Sequence, residues 1–246
     1  MVSLAKGLAV LTAFGPTRPS MSLTEAATVA GLSRAAARRV LLTLAELGYV
    51  EQRGRDFALS PRILDLGFAY LSTLSWIERA EPFLRELSAE FQESATAATL
   101  DGTDAVVVAQ VSAPAWIMSP AMAVGTRSPA FHSALGRIQL GYLDDKEIWR
   151  RLRASRIEQY TPSTITDLGA LVERVKADRA QGFSIVDEEL ERGLRALAVA
   201  LVARNGTVVG AINLSAHSAR TTRNEMRDRY LPRLLEAAES ISKFLV

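Results

Sequence analysis

The stretch Gly31–Gln52, GLSRAAARRVLLTLAELGYVEQ, opens with three arginines in nine residues and then runs into leucine. Ser33 is a favourable N-cap, because its hydroxyl can accept from an N–H group that the first helical turn leaves unpaired. Behind it Ala37, Val40, Leu41, Leu44 and Leu47 recur at helical spacing and form one apolar stripe. At about 100° per residue, Ala35, Arg38 and Arg39 fall on the opposite side. Leu42 falls there too, and periodicity gives no reason for it. The stripe would hold the helix against its neighbours while Ser33, Arg34, Ala35, Arg38 and Arg39 project from its N-terminal half.

The flanks give this helix its context. Upstream, Leu4, Leu8 and Leu11 predict a helix over about Ser3–Phe14, stopped by Gly15-Pro16. Ser22–Glu25, SLTE, has capping-box spacing and opens a short helix with Leu23, Ala26, Ala27 and Ala30, broken at Gly31. Downstream of Gly48, YVEQRGRDFALS reads as two short strands around Gly54, carrying Arg53 and Arg55. Three helices followed by a basic hairpin describe a winged helix–turn–helix. In that motif the third helix reads base edges, and the wing arginines would lie on phosphates. Residues 1–60 carry seven basic and four acidic side chains on a chain of net charge +2, so the rest is near neutral. A basic front fits a polyanion partner. The competing reading is a small helical packing domain with solvated arginines.

Pro61–Leu74, PRILDLGFAYLSTL, predicts a connecting helix with Pro61 in its first turn. Ile63, Leu64, Leu66, Gly67, Tyr70 and Leu71 leave it apolar on more than one face. It is therefore expected to pack on something besides its own domain, such as a partner subunit. This divides the chain into residues 1–60, a linker helix over 61–75, and a body over 76–246.

The body predicts a helix near Ile77–Glu93, then a hairpin around Asp101-Gly102. A loop leads into a helix at about Phe131–Leu143, and helices follow near Asp144–Arg153 and Asp167–Gln181. FSIVDEEL is a strand or loop edge. Leu194–Val202 is nearly all apolar, as in a strand buried on both faces, and Asn205-Gly206 predicts a type I′ turn into VVGAINLSA. A last helix spans about Thr222–Phe244. The fold class is α+β, with about six mostly antiparallel strands flanked by helices.

At 246 residues and 48% hydrophobic the chain can bury a sizeable core. It has no cysteine, no signal peptide pattern and no apolar run of the ~18 residues a membrane span needs, so a cytoplasmic protein is expected. His132 and His217 are the only histidines. Each stands beside serine, but no Gly-x-Ser-x-Gly elbow, Walker motif or Gly-x-Gly-x-x-Gly occurs. No metal site, cofactor or catalytic residue is expected. An enzyme reading would use His132, Ser133 and Asp187, with the N-terminal domain serving only assembly. The acidic run VDEELERG is either a solvated face or a place where Asp187 or Glu189 braces a pocket rim.

Gly182–Val199, GFSIVDEELERGLRALAV, and Ala211–Ser215, AINLS, following a winged helix–turn–helix and a connecting helix, strongly resemble the IclR family of bacterial transcription regulators. The resemblance covers essentially the whole chain. Val124–Arg137, VGTRSPAFHSALGR, is most similar to the subgroup controlling aromatic-acid breakdown through the β-ketoadipate pathway. Its members answer to compounds such as protocatechuate, 4-hydroxybenzoate or β-ketoadipate. The resemblance implies a GAF-like effector domain, a small carboxylic acid as ligand, and no cofactor. It also implies a homodimer or dimer of dimers on a palindromic double-stranded operator, away from membranes. By matching motifs, the backbone of Ser133, Ala134, Leu135 and Gly136 would hold the carboxylate, and Asn213 and Ser215 would line the pocket. Asp187 joins them as a possible rim residue. Members that take glyoxylate or pyruvate carry an acid where Val186 stands and a cysteine where Ala196 stands. Apolar residues there imply a larger ligand, with Val186 and Ala196 facing its ring. Arg195 would be a second anion contact only if it leaned inward. A constitutive DNA-binding protein with a filled core is the remaining alternative.

Overall fold

The computed structural model describes residues 2–113 and 122–245. The chain divides into two compact units, Met1–Thr73 and Leu74–Val246. The first contains α1 (Val2–Thr12), β1 (Ser20–Ser22), α2 (Leu23–Val29), α3 (Arg34–Glu46), β2 (Val50–Arg53), β3 (Asp56–Leu59) and α4 (Leu64–Leu71). The capping box forms: Glu25 N donates to Ser22 Oγ at 3.3 Å, and Ser22 N donates to Glu25 Oε2 at 2.7 Å. Val10, Phe14, Met21, Ala26, Leu41, Leu44, Val50 and Phe57 close a core between the three helices and the wing. Leu47, the last member of the expected stripe, is 52% exposed at the C-cap of α3.

Two features of this unit depart from the sequence reading. The wing has a third strand, in the order β1-β3-β2. β1 is only three residues long and coincides with the start of the capping box, so it leaves no alternation to read. The connecting segment is shorter than expected. A 3-10 turn at Pro61–Ile63 leads into α4, and none of the eight residues of α4 is buried.

The second unit contains α5 (Ser75–Phe91), β4 (Ser94–Asp101), β5 (Asp104–Val111), β6 (Arg127–Pro129), α6 (Ala134–Gly141), α7 (Asp145–Ala154) and α8 (Leu168–Gln181). β7 (Ser184–Asp187), β8 (Leu194–Val202), β9 (Val208–His217), α9 (Arg223–Glu225) and α10 (Leu231–Ser242) follow. One six-stranded sheet runs β6-β5-β4-β9-β8-β7 with every neighbouring pair antiparallel. α5 and α10 pack on the sheet and on each other; α6 also packs on it, with α8 against α6 and α7 against α8. The centre of β8, Ala196–Val199, is buried at four consecutive residues, as a strand covered on both faces requires.

Two more expectations change. Asn205 does not take the positive φ that a type I′ turn needs; only Gly206 does, at +84°. Instead Gly206 N donates to Ala203 O, Ala203 N to Thr207 O, and Thr207 N to the Asn205 side chain. The loop is thus a turn closed by a glycine bulge and an asparagine cap. The last helix is interrupted by a π-helical segment at Met226–Tyr230, where Leu231 N reaches back to Met226 O. Pro232 follows and has no N–H to donate, so the widened turn sits where regular pairing would fail.

Candidate functional site

α3 presents its N-terminal half as the spacing predicts. Ala36 N donates to Ser33 Oγ at 3.2 Å, fixing the helix start. Ala36, Ala37, Leu41 and Leu44 are buried, whereas Arg34, Ala35, Arg38 and Arg39 are exposed. Arg34, Arg38, Arg39 and Arg55 form no salt bridge among the described residues. Arg53 meets Glu51 at 3.1 Å, with both side chains largely in solvent. Gly54 turns the wing with φ +65°. The result is a cluster of solvated guanidinium groups on a rigid helix and hairpin, the arrangement a phosphate backbone attracts. Sequence reading passed over Arg62, whose guanidinium stands 5.5 Å over the Tyr49 ring beside the wing.

The second unit holds a cavity of about 300 Å³ on one face of the sheet. Register defines that face. Ser94 pairs with Ser215, Thr96 with Asn213 and Ala98 with Ala211. Ser128 of β6 and Ser215 of β9 both line the cavity although two strands separate them, so the sheet curls around it. Its floor is neutral and polar: Ser94, Thr96, Gln110 and Ser215. Asn213 is buried beside them and donates from Nδ2 to Ser215 Oγ at 3.1 Å. Two buried polar atoms, Asn213 Oδ1 and Ser128 Oγ, have no hydrogen-bond partner among the described residues. Such atoms are costly unless something fills the site.

Charge marks the two ends. Glu93, just before β4, is 4% exposed and lines the cavity, and Arg220 Nη2 donates to its Oε1 at 2.9 Å. Burial pushes the Glu93 carboxyl up to about 7, against the pull of Arg220. At the far end Arg127 also lines the cavity, and its guanidinium is held by Asp101 at 2.8 Å and Asp104 at 3.1 Å.

The expected effector residues separate into groups. Ser215 lines the cavity, and Asn213 lies on the same face. Ala134 and Leu135 belong to the core between α6 and the sheet, and so do Val186 and Ala196. Val186 and Ala196, expected to face the ligand ring, pack in that core with Leu135 and Ile138 and are not among the described residues that line the cavity. Gly136 is buried against the preceding turn, where an added Cβ would lie 2.3 Å from Ala130 Cα. Ser133 is the N-cap residue of α6 and makes no side-chain capping bond. The cavity wall includes Ser128 and Pro129, just upstream of this helix start. Asp187, expected as a rim residue, is not among the described residues that line the cavity. It points to the opposite face of the sheet from Val186 and meets Arg195 at 2.7 Å, so Arg195 is not available as an anion contact either.

The enzyme constellation does not assemble. His132 is fully buried, its Nε2 lies 3.3 Å from Glu158 O, and Asp187 is committed to Arg195. No group of three potential metal ligands occurs among the described residues. Sequence reading missed Arg137. It is fully buried and meets Glu189 through two hydrogen bonds while also donating to Phe131 O. The signal was there: a charged residue one turn into a mostly apolar, glycine-containing helix. Glu189 therefore braces α6, and with it the loop between β7 and β8. Glu93 left no comparable signal, because an acid at a helix–strand junction is ordinarily solvated.

Comparison with known proteins adds identity to this geometry. The profile for the bacterial transcriptional regulator IclR C-terminal domain matches residues 68–243, and that for the IclR helix-turn-helix domain matches residues 3–54. The Pca regulon regulatory protein of Pseudomonas putida is 38% identical over 241 residues, covering 98% of this chain and 83% of its own. A regulator structure from Rhodococcus sp. RHA1 is 39% identical with a TM-score of 0.85, covering 99% of this chain and 97% of that one. The inducer-binding domain of a PobR double mutant from Acinetobacter, solved with 3-hydroxybenzoic acid, is 28% identical with a TM-score of 0.64. It covers 68% of this chain and 97% of that one.

Proposed function

The chain belongs to the IclR family of bacterial transcriptional regulators, and on that footing we propose that it controls genes of aromatic-acid catabolism in answer to a monocyclic aromatic acid. The carrying observation is the cavity, with its neutral polar floor and two buried polar atoms, Ser128 Oγ in its wall and Asn213 Oδ1 beside its floor, that have no hydrogen-bond partner among the described residues. A ring acid supplies an apolar body for the walls and polar groups for those atoms. The hydroxybenzoate bound by the related inducer-binding domain supports this class. Asn213 and Ser215 would contact the ligand, and the backbone opening α6, Ser133–Gly136, would favour its carboxylate.

Ser33, Arg34, Ala35, Arg38 and Arg39 would form the reading surface, with Arg53 and Arg55 on phosphates. The protein would act in the cytoplasm as a homodimer or dimer of dimers on a palindromic operator. Exposed Leu4 and Leu8 on α1, and Leu64, Leu66 and Phe68 on α4, offer apolar area for that assembly.

Two measurements test the reading. Selection from a random duplex pool should return a palindrome with half-sites about one helical turn apart. A hydroxybenzoate at 100 times its dissociation constant should stabilise the protein by about 2.7 kcal/mol. Retention of no specific duplex, or no thermal shift with any aromatic acid, would overturn it.

A further inference from the structure

We propose that Glu93 sets effector specificity by charge, so that its end of the cavity accepts a ring hydroxyl and rejects a second carboxylate. This deepens the reading above and rests on it, since it concerns which acid the same cavity takes. It would separate hydroxybenzoate-type ligands from open-chain dicarboxylates of similar length.

Glu93 is 4% exposed and part of the cavity wall, next to Ser94, which pairs with Ser215 across the sheet. Its Oε1 is taken by Arg220 at 2.9 Å. The pair brings no net charge, so it does not compensate a second anion. A phenolic hydroxyl can donate to the carboxylate or to Ser215 without adding charge. A ligand carboxylate in the same place would set two like charges in a buried site, which is unfavourable until one takes a proton. Among the described residues, the remaining charged or titratable groups lining the cavity are Glu191, His217 and Arg127. Glu191 adds negative charge, and Arg127 at the far end is already held by Asp101 and Asp104. A single ligand carboxylate is therefore best placed away from Glu93, which orients the ring.

The test is calorimetry on the full chain with two probes, 4-hydroxybenzoate and adipate, at pH 8 and pH 6. At pH 8 wild type should prefer 4-hydroxybenzoate by about tenfold or more, and Glu93→Gln should shrink that preference about tenfold. In wild type the preference should also shrink at pH 6, where Glu93 carries a proton more of the time. In Glu93→Gln this pH trend should vanish. Equal preference in wild type and Glu93→Gln overturns the proposal, and so does a pH trend that persists in the variant. If Glu93→Gln does not fold, the wild-type pH trend is measured in His217→Gln: retention supports the proposal and loss overturns it. Absence of binding by both probes is a different result, which removes the aromatic-acid reading itself and this inference with it.

Discussion

Arg137 and Glu189, 52 residues apart in sequence, meet in a buried two-pronged ion pair, Nη1 to Oε1 at 3.0 Å and Nη2 to Oε2 at 2.5 Å. The pair ties α6 to the loop that follows β7, and the same guanidinium holds Phe131 O at 2.7 Å. Glu189→Ala would leave the buried guanidinium without its bidentate partner, with Asp178 at 4.0 Å as the remaining acid beside it. The expected cost is about 3–5 kcal/mol in denaturant unfolding. Arg137→Met with Glu189→Leu should cost less than Glu189→Ala alone, because the guanidinium and its bidentate partner leave together while Asp178 keeps Ser184 and Arg174. A double variant worse than the single one would show that the pair contributes net stability.

Gly136 is required by packing rather than by backbone angle. A Cβ there would stand 2.3 Å from Ala130 Cα and 2.6 Å from Ala130 O, both of them backbone atoms that cannot rotate aside. Gly136→Ala should therefore lower stability by about 1–3 kcal/mol through overpacking, although alanine is the better helix former. Thermal unfolding reads this directly. An unchanged midpoint would mean that the turn at Ala130–His132 gives way freely.

The fold was legible where one physical signal dominated. The stripe of α3, the capping box at Ser22 and Glu25, and the apolar run of β8 each announced their element, because burial on one or two faces leaves a period in sequence. The site was less legible, because it depends on register between distant strands. Val186 and Ala196 matched a family pattern for ligand contacts, yet α6 covers them, and no local signal reports what lies over a strand face. Asp187 and Arg195 are adjacent across β7 and β8 and neutralise each other, which a linear run of acids conceals. Glu93 and Arg220 lie 127 residues apart, so their pairing could be found only in three dimensions.

His132 gives a pH signature. It is fully buried, its ring edge-on to Phe131 with centroids 3.9 Å apart. Burial holds its pKa down at about 4, against the hydrogen bond to Glu158 O and with the help of Arg137. The unfolded chain takes up that proton near the ordinary 6.5, before the folded one does. Stability from this group is thus present above about 6.5 and lost as pH falls towards 4. Glu93 works in the opposite sense: its raised pKa favours the fold increasingly as pH falls from about 7 towards 4.5. Comparing wild type with His132→Gln separates the two, since only the histidine contribution changes. The stability difference between them should shrink steadily from pH 7 to pH 4. A constant difference would mean that His132 titrates alike in both states.

Arg38 and Arg39 carry the most direct test of the reading helix. Both are exposed on α3, opposite the buried Ala37, Leu41 and Leu44, and neither is tied to an acid among the described residues. Removing them should leave the core of the first unit intact, so folding and binding can be read separately. If both lie on phosphates, Arg38→Ala with Arg39→Ala should flatten the dependence of log affinity on log salt by about two. If one reads a base edge instead, the slope should change by about one, with discrimination at that base falling by about 1–3 kcal/mol. The control is Arg150→Ala, which removes an exposed arginine engaged with Glu147 in the second unit. It should leave both the slope and the discrimination unchanged. A double variant that binds selected duplex with wild-type affinity and salt slope would place the DNA surface elsewhere than on α3.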